Sequence, residues 1–184
     1  MNLGTAKRSA RVVIDTNVLI SALGFGGKPR EILILATLRK IQAVTSAVLL
    51  AELQEVINKK FPILEPKLDL IVKKITRKFI LVHPKTILKV LRDEDDNRVL
   101  EASLTGKCDY IITGDEAPAG LRPGYLLPSA QWERNPSEAE NFSHSSMGLR
   151  PGFSAKGDKD LLDLATFKGI KILTPKQFLE EFCA

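Results

Sequence analysis

Arg11-Val12-Val13-Ile14-Asp15-Thr16-Asn17-Val18-Leu19-Ile20 sets a short apolar run, a polar triplet and a second apolar run in immediate succession. The first run is brief and rich in β-branched residues, so it reads as a buried strand. The triplet then lies at that strand's carboxyl end, and Val18 to Leu23 begins a helix. Outward from this unit the rhythm repeats. Pro29 opens a helix to about Arg39, with Ile32, Leu35 and Ala36 on one face. Gln42 to Thr45 is a second strand, and Ser46 is a fair N-cap for a helix whose Leu49, Leu50, Leu53, Val56 and Ile57 recur at helical spacing. A basic helix from Pro66 to Lys78 leads into a strand at Phe79 to Val82. Asp95-Asp96-Asn97 opens a helix closed by Gly106, Asp109 to Thr113 is a strand ending in Gly114-Asp115, and Gly169 to Leu173 is the last strand. Thr174-Pro175-Lys176-Gln177 is a capping box with proline at the first helical position. Strands alternating with helices predict an α/β fold whose central parallel sheet is covered on both faces.

The 184 residues suit one domain spanning 1–184, and 44% hydrophobic with 27% charged residues is a globular composition. Nothing approaches the roughly 18 uncharged apolar residues of a membrane span. Asp15 interrupts the first apolar run at once, which also excludes a signal segment. No membrane association is expected, and the protein is expected to be soluble and cytoplasmic. Cys108 and Cys183 lack C-x-x-C spacing, which argues against a zinc knuckle or a disulfide framework, and both are expected to be packing residues.

The net charge of +5 is unevenly spread. Residues 59–92 hold ten basic side chains against two acidic ones, a local excess of +8 that leaves −3 for the rest of the chain. Such an excess suits either a solvated helix face or a polyanionic partner, because each Lys or Arg laid on a phosphate releases condensed counterions. Lys59, Lys60, Lys73, Lys74, Arg77 and Lys78 are the candidate residues for binding such a polyanion.

Residues 117–156 break the rhythm. They contain no Val, Ile or Thr, yet hold five of the ten prolines, four of the twelve glycines and Trp132, the only tryptophan. This composition supplies neither a sheet nor a long buried helix. Gly120-Leu121-Arg122-Pro123-Gly124-Tyr125 is echoed by Gly148-Leu149-Arg150-Pro151-Gly152-Phe153. The segment reads as an irregular insertion: a passive surface excursion, a lid, an RNA contact, or an interruption that disables the site.

Carboxylates recur at element ends beside polar neighbours: Asp15, Asp96 and Asp115, joined by Glu52 from a helix. In a doubly wound sheet the strands' carboxyl ends face one crevice, where Asp15 and Asp115 can converge. Each acid alone is an ordinary turn or cap residue. As a set they repel unless a cation is present, which is explained by Mg²⁺ or Mn²⁺ bound to hard oxygen ligands. The chemistry that needs this arrangement is phosphodiester hydrolysis. Neither His83 nor His144 lies in a catalytic signature.

Val13 to Leu23 with Gly26-Gly27-Lys28-Pro29-Arg30, followed by Thr45-Ser46 with Glu52, Arg92 to Asn97, Asp109 to Asp115 and Lys168 to Pro175, resembles PIN-domain ribonucleases, in particular the toxin components of toxin-antitoxin systems. The resemblance covers nearly the whole chain outside residues 117–156. It implies a three-layer α/β/α domain and a metal-dependent endoribonuclease activity. It also implies an acidic site of Asp15, Glu52, Asp96 and Asp115, with Asp15, Asp96 and Asp115 as metal ligands. Thr16, Asn17 and Thr113 are supporting residues, and Thr16 and Asn17 are expected to orient Asp15. A small antitoxin protein and a homodimer are the implied partners. The chain departs from the family pattern at the fourth acid: the family runs from Thr-Gly-Asp directly into Lys-Asp-Leu-Leu, whereas here the insertion intervenes and brings Asp158, so either Asp115 or Asp158 can complete the site. The alternative function is a catalytically impaired scaffold that binds RNA or protein. An aspartyl-nucleophile phosphatase is disfavoured because Asn17 stands where its second Asp belongs, and Gly106-Lys107-Cys108 lacks the pattern of a P-loop.

Overall fold

The computed structural model describes residues 9–24, 26–60, 65–114 and 159–183, without the side chains of residues 60, 65–68 and 159. β1 (Arg11–Ile14) is followed by α1 (Thr16–Gly24) and α2 (Gly27–Thr37), and β2 (Gln42–Ser46) by α3 (Ala47–Lys60) and α4 (Glu65–Lys78). β3 (Ile80–Val82) leads to α5 (Glu94–Thr105) and β4 (Tyr110–Ile112). After residue 158 come α6 (Lys159–Leu164), β5 (Thr166–Phe167), β6 (Ile170–Leu173) and α7 (Pro175–Cys183). The proposed insertion, residues 117–156, lies outside the described residues.

Among the described residues one sheet holds six strands in the order β3-β2-β1-β4-β6-β5. Five are parallel, with Val13 paired to Val44 on one side and to Ile111 on the other. The sixth departs from the expected parallel sheet: β5 runs antiparallel to β6, Phe167 opposite Ile170. Lys168 and Gly169 turn the chain back with φ of 49° and 84°. Two successive positive φ values twist a hairpin with the strands it joins, so two residues suffice for the reversal. β4 and β6 are hydrogen-bonded neighbours, so the chain on either side of residues 115–158 builds the same sheet.

Two-residue periodicity divides the apolar side chains between two cores. Val12, Ile14, Ala43 and Ile112 join Ile20, Ile32, Leu53, Ile75 and Phe178, so α1, α2, α3, α4 and α7 cover one face. Val13, Val44, Ile111 and Ile172 join Val99, Leu100 and Leu161, so α5 and α6 cover the other. This is the three-layer α/β/α arrangement. Among the described residues no helix is long and apolar enough to cross a membrane.

Local chemistry fixes the ends of these elements. Ser46 Oγ accepts the Leu49 N–H, and Thr174 and Gln177 exchange hydrogen bonds between side chain and backbone, closing the capping box. Asp93, two residues before the expected start, is the N-cap of α5 and accepts the Asp95 N–H at 2.9 Å. Phe79 remains tied to α4 through its N–H to the Ile75 carbonyl, which delays β3 by one residue. Tyr110 and Lys171 both donate to Glu181, at 3.0 and 2.6 Å, and pin α7 across the sheet.

The two cysteines differ. Cys108 is buried in the second core, and burial, assisted by the charge of Asp109, pushes its thiol up to about 12. Cys183 is exposed at the end of α7, so it is not the packing residue expected from composition. Ellman's reagent at pH 8 is expected to titrate one thiol promptly and the second only on unfolding. Cys183→Ser should abolish the prompt signal, and two prompt thiols would contradict the buried placement of Cys108.

Candidate active site

The strand order reverses between β1 and β4: the chain moves outward through β2 and β3, then returns to β1's other side. That boundary is the switch point at which doubly wound sheets open a crevice beyond the strands' carboxyl ends. Asp15 leaves β1 there and Thr113 leaves β4 beside it. The Asp15 N–H bonds the Ile112 carbonyl at 3.0 Å, carrying the ladder past the last strand residues. The Thr113 hydroxyl donates to Asp15 Oδ2 at 2.6 Å, and the Asn17 N–H donates to Oδ1 at 3.1 Å. Both carboxylate oxygens are therefore held, one by each flank of the crevice. Asp15 is 4% exposed and Thr113 fully buried.

Continuing the strand register by one or two residues sets Ser46, Asp15, Thr113 and Thr174 in a row across β2, β1, β4 and β6. Three of the four are helix caps. Asp15 accepts through its carbonyl from Leu19 and through its side chain from Asn17, Ser46 starts α3, and Thr174 starts α7. Three helix amino termini thus open on the row, and their partial positive charge favours a carboxylate or a phosphate there. Thr113 caps nothing and spends its hydroxyl on Asp15. Gly114 then turns the chain at φ 57°, and a Cβ on it would fall 2.5 Å from Leu162 Cδ1 of α6. Glycine is needed at this turn because the conformation is left-handed and α6 closes over it.

Thr16 acts differently from expectation. Its hydroxyl donates to Glu52 Oε2 at 3.1 Å, joining α1 to α3, while the orienting contact from Asn17 comes through its backbone. The structure therefore brings together Asp15 with Thr113 and Asn17, and Glu52 with Thr16. Asp96 is 4% exposed in the first turn of α5, a helix packed on β1, β2 and β4. Asp115 and Asp158 lie outside the described residues. Among the described residues no three His, Cys, Asp or Glu side chains form a group that could hold a metal ion.

Asn97 was legible only as part of an acidic triplet. It is 5% exposed, and its amide is saturated: Oδ1 accepts from the Val90 and Leu91 N–H groups, and Nδ2 donates to the Leu91 and Asp93 carbonyls, all within 2.7–3.0 Å. The candidate basic residues are placed less closely. Lys59 is paired with Glu55, whose carboxyl that contact lowers. On α4, Lys73 and Arg77 share one i,i+4 column, and Lys74 and Lys78 another.

The family profile described as the PIN domain matches residues 11–117. Its end falls two residues past Asp115, where the unusual composition begins. An uncharacterized protein, MJ1680, of Methanocaldococcus jannaschii is 38% identical over 127 residues, spanning 63% of this chain and 77% of that protein.

The Thr113–Asp15 bond gives a direct prediction. Thr113→Val keeps the shape but leaves a buried carboxylate oxygen short of a donor, a loss of about 1–3 kcal/mol. Urea unfolding is expected to show that loss, and a variant as stable as the parent would remove the bond from the architecture of the site.

Proposed function

Because the chain belongs to the PIN-domain family, a nuclease fold, we propose that it is a metal-dependent endoribonuclease that hydrolyses RNA phosphodiester bonds at the β1/β4 crevice. The observation that carries this reading is the buried Asp15 carboxylate, fixed through both oxygens at the switch point, in a row of residues from which three helices start. A buried carboxylate is costly to form without a compensating charge. The donors on hand are oxygen atoms, which fit a hard divalent cation in kind. In this reading Asp15, Asp96 and Asp115 hold Mg²⁺ or Mn²⁺, with Glu52 as the further acid. Such an ion supplies, when bound, an activated water and neutralisation of charge on the scissile phosphate. The protein's own part is orientation. Thr113 and the Asn17 N–H fix the Asp15 carboxylate, Thr16 holds Glu52, and the helix amino termini attract the phosphate.

Residues 117–156 are, in the same reading, an insertion between the strand that positions Asp115 and the helix that follows. Asp115 is preferred over Asp158 because it directly follows Gly114 and lies two residues after Thr113, whose hydroxyl already meets Asp15. Lys59, Lys60, Lys73, Lys74, Arg77 and Lys78 add general attraction for the RNA backbone. A role as the toxin of a toxin-antitoxin pair rests on the sequence resemblance, and a small protein that blocks cleavage is its expected partner.

The test is cleavage of a mixed RNA pool with Mn²⁺, Mg²⁺ or EDTA, for the parent chain and Asp15→Asn. Cleavage that requires metal, and falls at least about a hundredfold in Asp15→Asn, is the expected result. Binding of RNA without cleavage by either protein would favour the impaired scaffold instead.

A further inference from the structure

The basic stretch divides into two parts that lie differently with respect to the crevice. Arg77 and Lys78 precede β3, at the amino end of the sheet, because Ile80 is level with Val44 and Val13. Residues 83–92 instead leave β3 at the carboxyl end, where Val82 is level with Ser46, and run along α5 to its N-cap, Asp93. This strap has no regular secondary structure, yet α5 side chains hold its backbone. Glu101 accepts the Leu88 N–H at 2.7 Å, and Asn97 takes the Val90 and Leu91 N–H groups. Leu88 and Leu91 pack inward on the second core. Lys85, Lys89 and Arg92 are exposed, and none of them forms an ion pair among the described residues. Ile87, 82% exposed, and Val90, 47% exposed, share that outer side.

A pinned backbone with exposed cations outside and leucines inside is a built surface for a polyanion. We propose that residues 83–92 form a track for single-stranded RNA, in which Lys85, Lys89 and Arg92 contact successive phosphates. Asn97 acts as the positioning residue that locks the track to the first turn of α5, where Asp96 sits. The apolar Ile87 and Val90 lie against sugars and bases between the cations. This inference rests on the ribonuclease reading and names where its substrate lies. The α4 lysines supply attraction without register.

The test is fluorescence anisotropy with a labelled mixed-sequence single-stranded RNA, titrated in EDTA over a range of KCl so that cleavage does not intervene. Lys85→Gln with Lys89→Gln and Arg92→Gln is expected to reduce the slope of log affinity against log salt by about 2, three contacts at about 0.7 each. Asn97→Ala should lose affinity about tenfold or more while keeping its three cations. Asn97→Asp, which keeps acceptors for Val90 and Leu91 but turns an oxygen that cannot donate on the Leu91 and Asp93 carbonyls, should not restore it. An unchanged slope in the strap variant overturns the track, as does a loss confined to Lys73→Gln with Lys74→Gln. If the parent chain cuts RNA and the strap variant binds normally, the track alone fails. If the parent neither binds nor cuts RNA, the track fails together with the ribonuclease reading.

Discussion

The hydrogen bond from Thr113 to Asp15 joins two strands that are adjacent in the sheet but 98 residues apart in sequence. It exists only if β4 returns to the free side of β1, so it expresses the topology of the whole sheet in one contact. Everything around it follows from the same registration. The Asp15 N–H continues the ladder to Ile112, Thr113 continues it to Leu173, and the row from Ser46 to Thr174 is what remains when four parallel strands stop at one level. The apolar alternation that buries Val12 on one face and Val13 on the other keeps that register from slipping, since a shift by one residue would exchange the two cores.

The polar row also reconciles burial with charge. A carboxylate this enclosed needs donors or a cation, and the fold supplies a hydroxyl, a backbone N–H and helix amino termini from chain that the parallel crossovers require in any case. The second layer makes a comparable arrangement at α5. There Asn97 satisfies a stretch of irregular backbone that would otherwise leave N–H groups unpaired, and it does so one residue from Asp96. Position of the acid and position of the strap thus depend on the same turn of helix.

Most of the fold was legible because its signals are local. The β-branched run at Arg11 to Ile14, the Ser46 cap and the capping box at Thr174 each act within a few residues, and the structure places elements where they indicate. The antiparallel β5 is not legible in the sequence because Thr166-Phe167 is too short to show a period and Lys168 stands where a strong hairpin signal has Asn, Asp or Gly. At the site, residue types were readable and partners were not. Thr16 looked like a support for its neighbour Asp15, but its hydroxyl reaches Glu52, 36 residues on, because α3 packs beside α1. In the sequence Asn97 is readable only as the polar neighbour of Asp96, and its work is to satisfy backbone brought in by tertiary packing. The exposure of Cys183 likewise depends on which face of α7 meets the core, where Phe178 and Leu179 are buried instead.

In the proposed reading the enclosed carboxylate at the β1/β4 switch point is a cation site. Thermal unfolding with and without Mn²⁺, for the parent chain and Asp15→Asn, tests it without reference to any substrate. A cation that binds only the folded state raises the melting temperature by mass action. The account predicts a Mn²⁺-dependent rise in the parent that is absent from Asp15→Asn, with the metal-free variant folding normally. An equal rise in both proteins, or none in the parent at millimolar Mn²⁺, would contradict it.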